Sequence, residues 1–187
     1  MDTNASALQP RPAWATADGH ITVNGPDTAS AVSGDAAPGA DQEPGRLSQQ
    51  HSLDRTLAVE TVYRFAFSFG ERDRQVLTDC FTHDVVFESN IGGNLPVGPF
   101  EGRQDLVDWL TGYWPRQTDQ RRHFVTNTLV DDLTDESATV TTMLTLAGSE
   151  NGAMRLITAG FYRCELRKEE DGAWRIAHFC AGYDASY

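Results

Sequence analysis

His123 sits in Arg121-Arg122-His123-Phe124-Val125-Thr126-Asn127, a run whose aromatic and β-branched residues predict a β-strand. A histidine among apolar neighbours is a candidate proton carrier, because its unperturbed pKa near 6.5 lies close to working pH. On an unbroken strand, His123, Val125, Asn127 and Leu129 share one face, and Phe124, Thr126 and Thr128 share the other. Asn127 is then the second catalytic candidate, donating to a ligand carbonyl oxygen and stabilising an enolate. The plainer alternatives are a half-buried histidine that orders a backbone carbonyl, and an asparagine that satisfies sheet-edge groups.

Aromatic side chains supply candidate walls for a pocket. Phe69, Phe87, Trp109, Tyr113 and Trp114 fall on elements able to close over His123, with Met143 and Phe161 expected along the sheet. Tyr113 and Trp114 each join a flat apolar face to one polar group, which suits ligand contact. For Phe65 and Trp109 the reading as ordinary core prevails. Tyr162 alternates with Phe161, so one of the two faces inward. Glu88 is read as outward and exposed. His178 and Cys180 are two apart on a strand and share a face, half of a metal site, but no further Cys or His falls at ligand spacing. No metal and no cofactor are expected. Neither a nucleophile elbow nor a phosphate-cradling glycine loop with its lysine occurs.

These residues must be held by a folded unit of about 137 residues. Residues 1–50 are rich in Ala, Gly, Pro, Ser and Asp and carry six acids against two arginines, composition expected of a disordered acidic tail. Residues 51–187 have the length and apolar content of one domain. The start lacks the basic and apolar regions of a secretory signal, and no apolar run is long enough to span a membrane. A net charge of -12 repels phosphate backbones, so nucleic acid is an unexpected partner. Cys80, Cys164 and Cys180 form no C-x-x-C pair and are expected reduced, in a cytoplasmic protein.

Apolar residues at 57, 58, 62, 65, 66 and 69 predict a long helix from Leu53, with Ser52 as N-cap, Gly70 at its end and Tyr63 and Phe67 widening its buried stripe. A short helix over 73–81 and a strand over 85–89 follow. Residues 90–99, with three glycines and two prolines, are expected to be irregular. A third helix carries Leu106, Trp109, Leu110 and Tyr113 and stops at Pro115. Strands are expected at about 121–131, 136–147, 154–168 and 173–183, the last two joined by Glu169-Glu170-Asp171-Gly172. Helices first and long antiparallel strands afterwards predict an α+β fold.

This order resembles the nuclear transport factor 2-like superfamily, and within it the SnoaL-like group, over residues 53–184. The resemblance rests on the helix pair before Val85, on Gly98-Pro99-Phe100-Glu101-Gly102-Arg103 entering the third helix, on the His123 strand, and on Asp171-Gly172-Ala173-Trp174-Arg175-Ile176. It implies a cone-shaped, strongly curved mixed or antiparallel sheet with three N-terminal helices enclosing a deep pocket, and a homodimer. Such folds serve polyketide cyclases, a dehydratase, a dehydrochlorinase, isomerases, dioxygenase small subunits and binding modules, so function must be argued from the site. In the dehydratase and dehydrochlorinase branches, a histidine matching His123 is the base and two acids three residues apart orient it. Here Asp73 matches the second acid, but Gly70 stands where the first belongs, with Glu71 adjacent. The expectation is a cofactor-independent cyclase, dehydratase or isomerase acting on a small hydrophobic oxygenated metabolite, a polyketide or terpenoid. The rivals are a non-catalytic ligand-binding module and a structural subunit of a dioxygenase-type complex.

Overall fold

The computed structural model describes residues 49–186. The tail expected over 1–50 lies almost wholly outside the described residues. The chain forms α1 (Gln49–Glu71), α2 (Arg74–Asp79), β1 (Phe81–Ile91), β2 (Leu95–Glu101), α3 (Arg103–Thr111), a 3-10 turn (Trp114–Arg116), β3 (Gln120–Asp131), β4 (Ser137–Glu150), β5 (Ala153–Lys168) and β6 (Trp174–Tyr183). The six strands make one mixed sheet in the order β2-β1-β6-β5-β4-β3. Within it only β1 and β6 run parallel; the other pairs are antiparallel. The expected α+β class and three helices are present.

Burial alternates along the strands because one sheet face is covered by helices. On β4, Ala138, Val140, Thr142, Leu144 and Leu146 point inward, and on β5 Tyr162, Cys164 and Leu166 do so. α1 lays Ala58, Val62, Phe65 and Ala66 on this face. Phe67 remains 71% exposed, so the helix buries one stripe rather than two. Asp54 is fully buried near the start of α1. It accepts from Lys168 Nζ at 2.8 Å, Trp174 Nε1 at 3.1 Å and Gln50 Nε2 at 2.9 Å, tying the helix to the β5–β6 hairpin. The lysine beside it holds this carboxyl down to about 2.

Several boundaries differ from expectation. Ser52 lies within α1, where its carbonyl accepts from Thr56, and does not cap it. α2 is capped by Asp73, whose carboxylate accepts from the Val76 amide. The largest difference is β2, which occupies much of the stretch expected to be irregular. Pro96 and Pro99 fit there because β2 is an edge strand, where a missing amide donor leaves no ladder bond broken. Gly98 is needed at its position: its φ is +95°, and a Cβ would stand 2.7 Å from the Phe87 carbonyl oxygen.

Candidate functional site

His123 does face the helices. Its ring stacks on Phe69 of α1, with centroids 5.0 Å apart and planes 13° apart. Burial pushes its pKa down to about 4, and a backbone hydrogen bond with Ala66 opposes that shift without cancelling it. The imidazole is therefore neutral at working pH. Nδ1 is buried and finds no partner among the described residues.

Among the described residues no carboxylate supports this ring. Gly70 sits in the last turn of α1, and a Cβ there would lie 3.0 Å from the Arg121 carbonyl oxygen, so a side chain would require the helix and β3 to part by a few tenths of an ångström. Glu71 is engaged by Arg122, on the opposite side of β3 from His123, and does not replace the missing acid. Asp73 caps α2.

The remaining candidates fall into three groups. Phe69 and Trp114 belong with His123: Phe69 lies 6.1 Å from Trp114 centroid to centroid, and Trp114 Nε1 is a second buried atom lacking a partner among the described residues. Phe87, Trp109 and Tyr113 form a separate stack with Phe100, in which Trp109 sits 4.5 Å from Phe100, 5.5 Å from Phe87 and 5.3 Å from Tyr113. Tyr113 is 44% exposed at its rim, with Arg116 over its ring.

Asn127, Met143 and Phe161 are corrections, because they face away from His123. A β-bulge places Asn127 and Thr128 opposite Thr142 alone, with Asn127 at φ 52°. The extra residue reverses the alternation, so Thr128 and Val130 turn inward while Asn127 and Leu129 turn out. Met143 is 51% exposed, and Phe161 pairs with it on the outer face; Tyr162 is the inward member of its pair. The expectation of a deep hollow also changes. Phe65, Tyr162 and Phe179 fill the space under the sheet edge to face, with centroids 4.8 to 5.7 Å apart. Open hollows of about 430 and 540 Å³ lie beside α2 and at the β5–β6 turn, and His123 lines neither.

On the outer face, strand pairing joins residues that spacing kept apart. Glu88 of β1 is in register with Cys180 of β6, and its Oε1 lies 3.2 Å from His178 Nε2 and 3.2 Å from Cys180 Sγ. The sequence showed only the His178 and Cys180 half of this cluster.

A family model described as a SnoaL-like domain matches residues 50–179. No curated protein matches. Among solved structures, the chain is similar to a nuclear transport factor 2-like protein with a cystatin-like fold from Novosphingobium aromaticivorans (18% identity, TM-score 0.60, covering 71% of this chain and 82% of that one). It is also similar to Aln2 from a Streptomyces species (16%, TM-score 0.59, 74% and 94%). A third is a protein described as the β subunit of a putative aromatic-ring-hydroxylating dioxygenase, also from Novosphingobium aromaticivorans (12%, TM-score 0.61, 73% and 92%). At these identities the likeness to solved structures concerns the fold alone.

Proposed function

We propose that this chain, which belongs to the SnoaL-like domain family, binds a small, largely apolar, oxygenated metabolite beside Phe69 and rearranges it without a cofactor. The observation that carries this reading is the pair of buried atoms flanking that ring, His123 Nδ1 and Trp114 Nε1, that find no partner among the described residues. A buried polar group left unsatisfied costs about 1–3 kcal/mol, so two around one aromatic ring favour a ligand that satisfies both. The indole N–H only donates, while Nδ1 of a neutral imidazole whose other nitrogen holds the proton accepts. A ligand hydroxyl suits either atom, donating to the imidazole nitrogen or accepting from the indole N–H.

The chemistry follows from protonation state. His123 is neutral and so able to accept a hydroxyl proton, yet a pKa near 4 makes it a weak base toward carbon acids. Relay of a proton from one oxygen of the ligand to another, as in dehydration, cyclisation or isomerisation of a polyketide- or terpenoid-like molecule, fits this better than unaided enolisation. Phe69 and Trp114 would hold the carbon skeleton in a reactive shape.

The second reading is a binding module without turnover, favoured by the absence of a carboxylate at Gly70. One pair of measurements separates them. Candidate hydroxylated aromatics are titrated against intrinsic tryptophan fluorescence, and product formation is followed with the parent and His123→Gln. The enzymatic reading expects turnover to fall about 100-fold while binding persists. Binding without product in the parent establishes the module, and fluorescence indifferent to every candidate removes both.

A further inference from the structure

We propose that Cys180 Sγ, His178 Nε2 and Glu88 Oε1 form a site for a zinc-class divalent cation on the outer face of the sheet, with Glu165 positioning the His178 ring. This site is independent of the His123 region, which lies on the other face.

The donor geometry carries the inference. The three donor atoms lie within 4.8 Å of one another, with edges of 3.2 Å from His178 Nε2 to Glu88 Oε1, 3.2 Å from Cys180 Sγ to Glu88 Oε1, and 3.6 Å from Cys180 Sγ to His178 Nε2. A tetrahedral zinc ion at ordinary bond lengths spaces a nitrogen, a sulfur and an oxygen about 3.3–3.6 Å apart. The triangle is thus within a few tenths of an ångström of the size one ion requires.

Placement adds to geometry. The ligands stand on adjacent strands in fixed register, Val86 beside His178 and Glu88 beside Cys180, so the backbone presents them together without a flexible loop. On the other side of the imidazole, Glu165 of β5 is in register with His178 and its Oε1 lies 3.7 Å from Nδ1. A carboxylate that accepts from the remote nitrogen orients metal-binding histidines and raises their basicity, and Glu165 stands a few tenths of an ångström beyond that reach. Arg163, paired in register with Cys180, places one positive charge nearby, and the carboxylates of Glu88 and Glu165 outnumber it.

The donor set selects the ion. One thiolate, one imidazole and one carboxylate suit zinc, or cobalt in its place, far better than magnesium or calcium, which want oxygen alone. Three protein ligands leave the fourth position to water. The bound ion would clip β1 to β6, the one parallel pair in the sheet.

The full chain, stripped with chelator and kept reduced, is titrated with Zn²⁺ by calorimetry and with Co²⁺ by absorption. The expected result is one equivalent bound, with a thiolate-to-cobalt charge-transfer band and protection of Cys180 from thiol alkylation by Zn²⁺. Cys180→Ser should abolish the band, His178→Ala should weaken binding by at least about tenfold, and Glu165→Gln should weaken it about 10–100-fold without removing the band. Circular dichroism confirms that each variant is folded; His178→Gln, closer in size, replaces any that is not. Absence of saturable one-to-one binding, or binding of unchanged strength in Cys180→Ser, overturns the proposal.

Discussion

A methyl group at position 70 would stand 3.0 Å from the carbonyl oxygen of Arg121. The last turn of α1 and the start of β3 meet backbone to backbone here, and Gln120 stitches them by donating to the Gly70 carbonyl at 2.7 Å and the Arg121 carbonyl at 3.1 Å. The same closeness brings Phe69 onto the His123 ring and crowds the position where an orienting acid would stand.

Gly70→Ala is therefore expected to destabilise the protein by up to about 2 kcal/mol, the crowding cost of about 1–3 kcal/mol being offset in part by the roughly 1 kcal/mol that Ala gains over Gly within a helix. Urea unfolding measures this. A variant as stable as the parent would mean that the two segments have slack.

His123 makes stability depend on pH in a defined window. Its folded pKa, about 4, lies below the unfolded value near 6.5, so the unfolded chain binds a proton first as pH falls. Stability is fully present above about pH 6.5 and declines toward pH 4, by about 3 kcal/mol in all. His123→Gln should flatten this decline. Titration of the ring by NMR gives the same answer directly, and a midpoint near 6.5 would show that the ring is hydrated.

Asp54 acts in a lower window. Its folded pKa, about 2, lies below the ordinary 3.8, so its contribution is present above pH 4 and is lost as pH falls toward 2. Asp54→Asn should cost about 2 kcal/mol at neutral pH, less than breaking a fully buried pair because Lys168 keeps some contact with water. The loss of stability below pH 4 should shrink in the variant. Neutral-pH stability equal to the parent's would remove the lock between α1 and the β5–β6 hairpin.

The outer face presents Phe124, 50% exposed, with Met143 and Phe161 beside it. We expect a second copy of the chain to cover this row. Light scattering should then report a dimer that Phe124→Glu converts to a folded monomer. A parent that is monomeric at high concentration ends that expectation.

Much of the architecture was legible because it rests on short-range pattern. The 3–4 spacing along α1 and the alternation in β4, β5 and β6 each need only a hydrophobic face and a neighbour to cover it. That His123 shares a face with Val125 followed from the same alternation, while the inward direction of that face came from the resemblance. β2 was not legible, because prolines and glycines signal irregular chain unless the strand is known to be an edge.

By itself the sequence determined the fold class, the order of the elements other than β2 and the shared face of His123 and Val125, since these depend on periodicities of two and 3.6 residues. Only the tertiary structure decided the rest. One added residue at Asn127 reversed the facing of the strand beyond it. The separation between α1 and β3 left a side chain at position 70 crowded against the Arg121 carbonyl. Register between β1 and β6 carried Glu88 to His178 and Cys180, far away along the chain. Each is a matter of which backbone lies beside which, and no local pattern of side chains encodes it.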